Sequence, residues 1–375
     1  MTKDNGAVMR SILYLCEYGT LNGGENSLLS ILPHVIAAGW RPTVLGPSEG
    51  NLAAAVQATG ASFAVWDVTD AEGRKRPLEQ LRAELQQLIE RHRPAMVHAN
   101  SLSMSRVLGP VETPGVIKVG HLRDIIKLNR QVITDLNQLD ARIAVSNATR
   151  DFHVAQGLDE ATTHVIYNGV DPNKFFPGEP TGYLHRELGL PLEKKLVAFI
   201  GQIGMRKGIE VALRAFSDHG DAHLLVIGDR FSQKEEAVEY EASLREIVAA
   251  RNLAAAVTFL PFRTDMPELL RELTLLVHPA RQEPLGRVLL EAAATGLAVV
   301  ATDAGGTREI FGDDAAEIVS IDDVSAMAAA IDRLIFDPAY RSQLGGKSHQ
   351  RSRLFTPTLS ALHILALYDE LLARS

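Results

Sequence analysis

The stretch Val277–Arg308, VHPARQEPLGRVLLEAAATGLAVVATDAGGTR, decides how the rest of the chain is read. Thr274 to His278 is short, apolar and closed by Pro279, the pattern of a strand. A polar loop, Arg281-Gln282-Glu283-Pro284-Leu285-Gly286, follows it. Arg287 to Ala294 carries helical periodicity and stops at Gly296. Ala298 to Ala301 is an apolar strand, and Gly305-Gly306 breaks the chain again. Glu283 lies just ahead of the helix and Glu291 within it, with seven residues between them. Both carboxylates can therefore face one crevice at the helix N-terminus.

A helix N-terminus presents unbonded N–H groups and about half a positive charge, which suits a phosphate. The candidate donors are the backbone amides of Leu285, Gly286, Arg287 and Val288. A carboxylate beside a diphosphate is repelled unless it holds something else. Vicinal hydroxyls are what a carboxylate grips in pairs. The ligand these residues imply is a nucleotide-sugar, with its diphosphate on the amides and one sugar at each carboxylate. Two glutamates at this spacing, taken alone, read more simply as a loop charge and a solvated helix residue.

With its strand-loop-helix context, the stretch resembles the retaining GT-B glycosyltransferases of glycosyltransferase family 4. Their signature is Glu, seven residues, Glu, with a Gly soon after the first Glu and a Gly-Gly turn after the next strand. The resemblance implies that Glu283 touches the transferred sugar and Glu291 the ribose. It implies a fold of class α/β, GT-B, with two Rossmann-like parallel-sheet domains facing a central cleft.

Strand-helix alternation runs through the chain on both sides of this stretch, the pattern of parallel sheets covered on both faces. The expected strands of the first half are Ser11 to Cys16, Pro42 to Leu45, Ser62 to Trp66, Ala95 to His98, Gly115 to Val119, Arg142 to Val145 and His164 to Tyr167. Leu81, Leu85, Leu88 and Ile89 place one apolar face on a helix over Leu78 to His92. Pro172 to Pro180, with three prolines and a glycine, reads as the boundary. A second series then begins at Leu196 to Ile200. We expect an N-terminal acceptor-binding domain over 1–172 and a nucleotide-sugar-binding domain over 173–356. The resemblance implies that a last helix over 357–375 returns to the first domain.

Four further segments carry candidate chemistry. Gly23 and Gly24 join the first strand to the first helix, and glycine lets backbone approach a ligand closely. This loop is similar to the family's first-domain glycine loop. His98 and His121 each stand at the carboxyl end of an expected strand, and two such histidines in one cleft point to function more than either alone. The resemblance places His121 close to the donor's sugar and phosphate, and Asn100 where the family often has a second histidine. Gln202, Arg206 and Lys207 follow the first strand of the second half. The family has an arginine where Gln202 stands, and a lysine at Lys207, both on the diphosphate. Arg206 is the adjacent charge that could compensate. The resemblance thus makes His121, Lys207 and Glu283 catalytic. It makes Gly23, Gly24, Gln202, Arg206, Leu285, Gly286, Arg287, Val288 and Glu291 donor-binding.

Composition bounds the rest. The 375 residues are 46% hydrophobic and 22% charged, which supports large cores and not disorder. The net charge is −8, and an acidic total argues against nucleic acid as a partner. Most of the excess lies after residue 175, where 28 acidic residues face 21 basic ones. Basic clusters remain in the first half, at Arg74-Lys75-Arg76 and at Lys118, Arg123, Lys127 and Arg130. They read either as solvated helix faces or as contacts to an anionic lipid or acceptor. No apolar run reaches transmembrane length, and no signal peptide is expected ahead of Ser11. A single cysteine, Cys16, fits a reducing cytosol, so we expect a cytoplasmic protein with peripheral contact to the inner face of a membrane as the bolder reading.

No Asp-x-Asp occurs and no Cys/His cluster suggests zinc, so neither metal nor cofactor is expected. Gly346-Lys347-Ser348 looks like the end of a P-loop, but Arg341 occupies the required upstream glycine position. The expected partners are a nucleoside-diphosphate sugar and a sugar, lipid-linked or other hydroxyl acceptor. The resemblance implies transfer of a hexosyl unit with retention, in cell-envelope polysaccharide or glycolipid synthesis. The competing readings are a GT-B sugar-nucleotide epimerase and a non-catalytic nucleotide-sugar-binding protein.

Overall fold

A computed structural model of the chain describes residues 10–374. The chain forms two compact units, Met1–Gly169 with Pro357–Ser375, and Val170–Thr356. The first break falls three residues before the expected 172/173 boundary.

The first unit holds β1 (Arg10–Leu15), β2 (Trp40–Gly46), β3 (Ser62–Val65), β4 (Met96–Ala99), β5 (Ile117–Leu122), β6 (Ala141–Ala144) and β7 (Thr163–Val165). They form one sheet in the order β3-β2-β1-β4-β5-β6-β7, with parallel pairing throughout. Alternation along β1 divides its side chains between two cores. Ile12 and Tyr14 pack with Leu28, Leu32 and Val35 of helix Gly23–Ala37. Leu13 and Leu15 pack on the other face with Leu81, Leu85 and Ile89 of helix Leu78–His92. Each buried leucine or isoleucine of this kind contributes about 2 kcal/mol. Helix Pro357–Arg374 joins the first of these cores through Ile364, Leu367, Tyr368 and Leu371, and lies against helix Gly23–Ala37.

The second unit holds β8 (Lys195–Ile200), β9 (Ala222–Ile227), β10 (Val257–Leu260), β11 (Leu275–His278), β12 (Ala298–Thr302) and β13 (Glu317–Val319). Their order is β10-β9-β8-β11-β12-β13, again parallel. The fold is therefore α/β with two Rossmann-like sheets, of seven and six strands. The edge strand β13 was not expected, because three residues are too few for a period to show.

Two expectations are corrected. β5 runs on to Leu122 instead of stopping at Val119, because Gly120, His121 and Leu122 pair with Arg142, Ile143 and Ala144 of β6. His121 is thus inside a strand and not beyond its end. The cluster Arg74-Lys75-Arg76 lies in an exposed loop and not on a helix face, and its charges are paired: Arg74 with Asp70 and Glu72, Lys75 with Glu17, and Arg76 with Glu84. Gly346-Lys347-Ser348 lies inside helix Pro338–Ser352, where Lys347 pairs with Asp314. No described helix is long and apolar enough to cross a membrane.

Candidate functional site

In the second sheet the strand order reverses between β8 and β11. Open α/β sheets hold ligands beyond the carboxyl ends of the strands at such a point. The chain leaves β8 and makes a 3-10 turn, Met205–Lys207, that ends in Gly208 at a left-handed φ of 61°. A Cβ at Gly208 would come within 2.2 Å of the Pro279 carbonyl oxygen, so only glycine lets this turn lie against the end of β11. The Arg281 amide donates to the Arg206 carbonyl, and the Gly306 amide donates to the Glu283 carbonyl. The loop carrying Glu283 is fastened on both sides.

This packing brings Lys207 and Glu283 together, with Nζ 2.5 Å from Oε2. Nε2 of His278, the last residue of β11, lies 2.7 Å from the same oxygen. All three side chains are buried. Burial by itself raises the Glu283 pKa, but the Lys207 ammonium and the His278 hydrogen bond override it and hold the carboxyl far below the usual range. Burial also lowers the His278 pKa, against the pull of Glu283. A neutral His278 donating from Nε2 leaves Nδ1 as an acceptor, and Nδ1 has no partner among the described residues.

Helix Arg287–Ala294 begins at Gly286, whose φ of 93° again requires glycine. A Cβ there would lie 2.7 Å from Leu289 Cδ1 and 3.2 Å from Glu283 Cγ. No side chain caps this end through Gly286, and the first-turn amides have no carbonyl behind them within the helix. Glu291, one turn on, is buried and accepts from Arg287 Nε at 2.8 Å. Burial raises its pKa, with Arg287 opposing. Two glutamates with seven residues between them are thus shifted in opposite directions. Arg206 is exposed, with Nη2 3.4 Å from Gln202 Oε1, so a guanidinium stands beside the position where the family pattern has one.

A separate cluster occupies the corresponding reversal in the first sheet, between β1 and β4. Gly24 packs on Arg123, whose Cδ would lie 3.2 Å from a Cβ at that position. Arg123 donates to the carbonyl and side-chain oxygens of Asn100 and to Asn168 Oδ1, each at 2.8 Å. It is therefore an organiser of strand ends and not part of a basic face. His98 and His121 are both buried, with Nε2 of His98 3.2 Å from Nδ1 of His121. Gly23 begins helix Gly23–Ala37, and Glu25 two residues on is buried with its pKa raised by that burial. Among the described residues no three His, Cys, Asp or Glu side chains gather so as to hold a metal ion.

Residues 183–351 match the family model for glycosyl transferases group 1, and residues 21–174 match that for glycosyltransferase family 4. A lipopolysaccharide core biosynthesis mannosyltransferase, LpsB of Rhizobium meliloti, is 30% identical over 273 residues, covering 67% of this chain and 75% of that protein. This chain belongs to glycosyltransferase family 4. An alpha-maltose-1-phosphate synthase of Mycobacterium tuberculosis is 33% identical over 226 residues, 56% of this chain and 58% of the synthase. The match therefore spans little more than half the length of that relative. HepE of Anabaena, solved in complex with UDP-glucose, superposes with a TM-score of 0.84 at 22% identity, over 96% of this chain and 100% of that one. A glycosyltransferase from Rickettsia africae superposes with a TM-score of 0.82 at 18% identity, over 98% and 100% of the two chains. These likenesses give the fold of the family 4 chain as GT-B.

The sequence placed Lys207 and Glu283 in one site, and the fold brings them into contact. It missed His278, Arg123 as an organiser, and Asn168. For His278 a signal existed: a polar residue closing an otherwise apolar strand, five positions before the glutamate. Asn168 gave none, because its partner lies 45 residues away.

Proposed function

We propose that this family 4 glycosyltransferase moves a hexosyl unit from a UDP- or GDP-linked sugar to an acceptor hydroxyl, with retention and without a metal. The observation that carries the reading is the meeting of Lys207 and Glu283 at the amino end of helix Arg287–Ala294. As the glycosidic bond lengthens, negative charge grows on the departing diphosphate. Lys207 and the amides of Leu285 to Val288 are the donors that meet it, and each such donor is worth about 3 kcal/mol. Lys207 reaches that charge by loosening its bond to Glu283, which frees the carboxylate for sugar hydroxyls. Glu291 takes the ribose and His121 a sugar or phosphate oxygen. In this reading no side chain is assigned as a nucleophile. A donor phosphate oxygen receives the acceptor's proton in a same-face attack.

Two likenesses support this reading beyond the geometry: LpsB is a mannosyltransferase, and HepE was solved with UDP-glucose. The acceptor would be a cell-envelope polysaccharide or a lipid-linked sugar, on the cytoplasmic side. The test is to incubate the full chain with labelled UDP- and GDP-sugars, with and without an acceptor panel, and to read the product anomer by NMR. Transfer with retained configuration, undiminished by a chelator, is the expected result. Donor conversion without any acceptor would identify an epimerase instead, and an inverted product would remove the retaining mechanism.

A further inference from the structure

His121 is the end of a buried polar chain that crosses the core of the first unit. The Tyr14 hydroxyl lies 3.2 Å from the Tyr368 hydroxyl, and Tyr368 in turn is hydrogen-bonded to Nδ1 of His98. Nε2 of His98 meets Nδ1 of His121 at 3.2 Å, with the two ring planes 13° apart. Arg123 Nη2 lies 3.3 Å from that same Nδ1 of His121. All four chain members are buried, at 3% relative exposure or less. The last atom, Nε2 of His121, has no hydrogen-bond partner among the described residues.

The direction of every bond follows from one end. A guanidinium only donates, so Nδ1 of His121 is the acceptor and carries no proton. His98 must then donate from Nε2, which leaves its Nδ1 as an acceptor. Tyr368 therefore donates to His98, and Tyr14 donates to Tyr368. The proton of a neutral His121 has one place left, Nε2. Burial first, and the Arg123 charge next, hold His98 at a pKa of about 3, and the same causes keep His121 well below its ordinary value. Both rings are neutral under ordinary conditions.

We infer that Tyr368 and His98 are positioning residues which, together with Arg123, fix His121 as the neutral Nε2–H tautomer. His121 then offers a hydrogen-bond donor to a ligand oxygen and cannot serve as the base that takes the acceptor's proton. The C-terminal helix thus shapes the site chemically, through Tyr368, as well as by packing. The identity of the ligand oxygen rests on the function proposed above; the tautomer does not.

The test is imidazole nitrogen NMR on the full chain labelled at histidine, first without ligand, with His98 and His121 assigned by single substitution. Wild-type protein at about pH 7 should show both rings as single neutral Nε2–H tautomers. A protonated Nδ1 on His121, or an imidazolium, overturns the inference. Tyr368→Phe keeps the ring and removes only the hydroxyl. It should give His98 a mixture of tautomers, displace the His121 Nδ1 resonance, and lower kcat/KM by up to about tenfold, the reach of one neutral hydrogen bond. Unchanged histidine signals in Tyr368→Phe also overturn it. Tyr14→Phe, one step further out, should move the same signals less, and it serves if Tyr368→Phe fails to fold. Tautomers that respond as stated while turnover does not respond support the positioning role and remove the donor from His121.

Discussion

The two sheets solve the same problem with opposite chemistry. At the reversal of the second sheet the buried groups are charged and already paired, Lys207 and Glu283, with His278 as a third member. At the reversal of the first sheet a neutral tyrosine-histidine chain is buried, with Arg123 setting its direction at the His121 end. In the function proposed above, the first arrangement stores a counter-ion that an incoming anion replaces. The second stores a donor, Nε2–H of His121, whose direction follows from the bonds made behind it. Burying a pair of charges costs several kcal/mol unless their geometry and further hydrogen bonds offset it, so a cluster of that kind calls for a role. A neutral chain costs little once every member is satisfied, and its one unpaired atom is the informative one.

The largest effect that can break the contrast is at the charged site. Lys207→Met should lower turnover by at least about a hundredfold if, as proposed, Lys207 is a donor to the growing diphosphate charge. Turnover near wild type would mean that Arg206 or another group has that task. Glu283→Gln leaves Lys207 without its counter-charge in a buried place. It should lower the unfolding free energy by about 3 kcal/mol in urea titration, whereas an equal substitution at an exposed pair changes stability by less than about 1 kcal/mol. An unchanged stability would show that the Lys207–Glu283 bond is not formed in solution.

A third experiment separates the two glutamates. Glu291→Ala should weaken donor binding by about tenfold in calorimetry, the size of a charge-assisted hydrogen bond, and leave the protein folded. Donor affinity equal to wild type would take the ribose away from Glu291. The remaining experiment belongs to the neutral site and is read through pH. His98 is depressed to about 3 from an ordinary value near 6.5, so its contribution is whole above about pH 6.5 and is lost as pH falls toward 3. Unfolding free energy should fall as pH is lowered through that window, because the unfolded ring takes up a proton that the buried ring refuses. His98→Gln should flatten the slope accordingly, and an unaltered slope would show that His98 is not held neutral.

The same contrast explains what could be read from the sequence. Glycine breaks, apolar strands and the two glutamates are local patterns, and from them came the two α/β series and helix Leu78–His92, while the family resemblance put Lys207 with the Glu283 loop in one site. Gly208 and Gly286 were visible as letters, but their need for glycine lies in contacts with Pro279 and with Leu289 and Glu283. The neutral chain was nearly invisible. Tyr368 and His98 stand 270 residues apart, and a tyrosine on an amphipathic helix reads as core packing until its hydroxyl is traced. Arg123 misled for the reverse reason: an arginine near Lys118, Lys127 and Arg130 reads as surface charge, while its bonds run inward to Asn100 and Asn168. The short helices Leu102–Leu108, Asn147–Val154 and Met266–Glu272 could not be placed from the sequence, because about two turns give too few apolar positions to establish a period.

The most direct test of the central claim compares nucleotide affinities. Wild type and Lys207→Met are titrated with UDP or GDP, whichever binds, and with the matching monophosphate. If a diphosphate rests on Lys207 and the amino end of helix Arg287–Ala294, wild type will prefer the diphosphate by about tenfold or more and the variant will lose most of that preference. A variant that keeps the whole preference would place the diphosphate elsewhere and contradict the account.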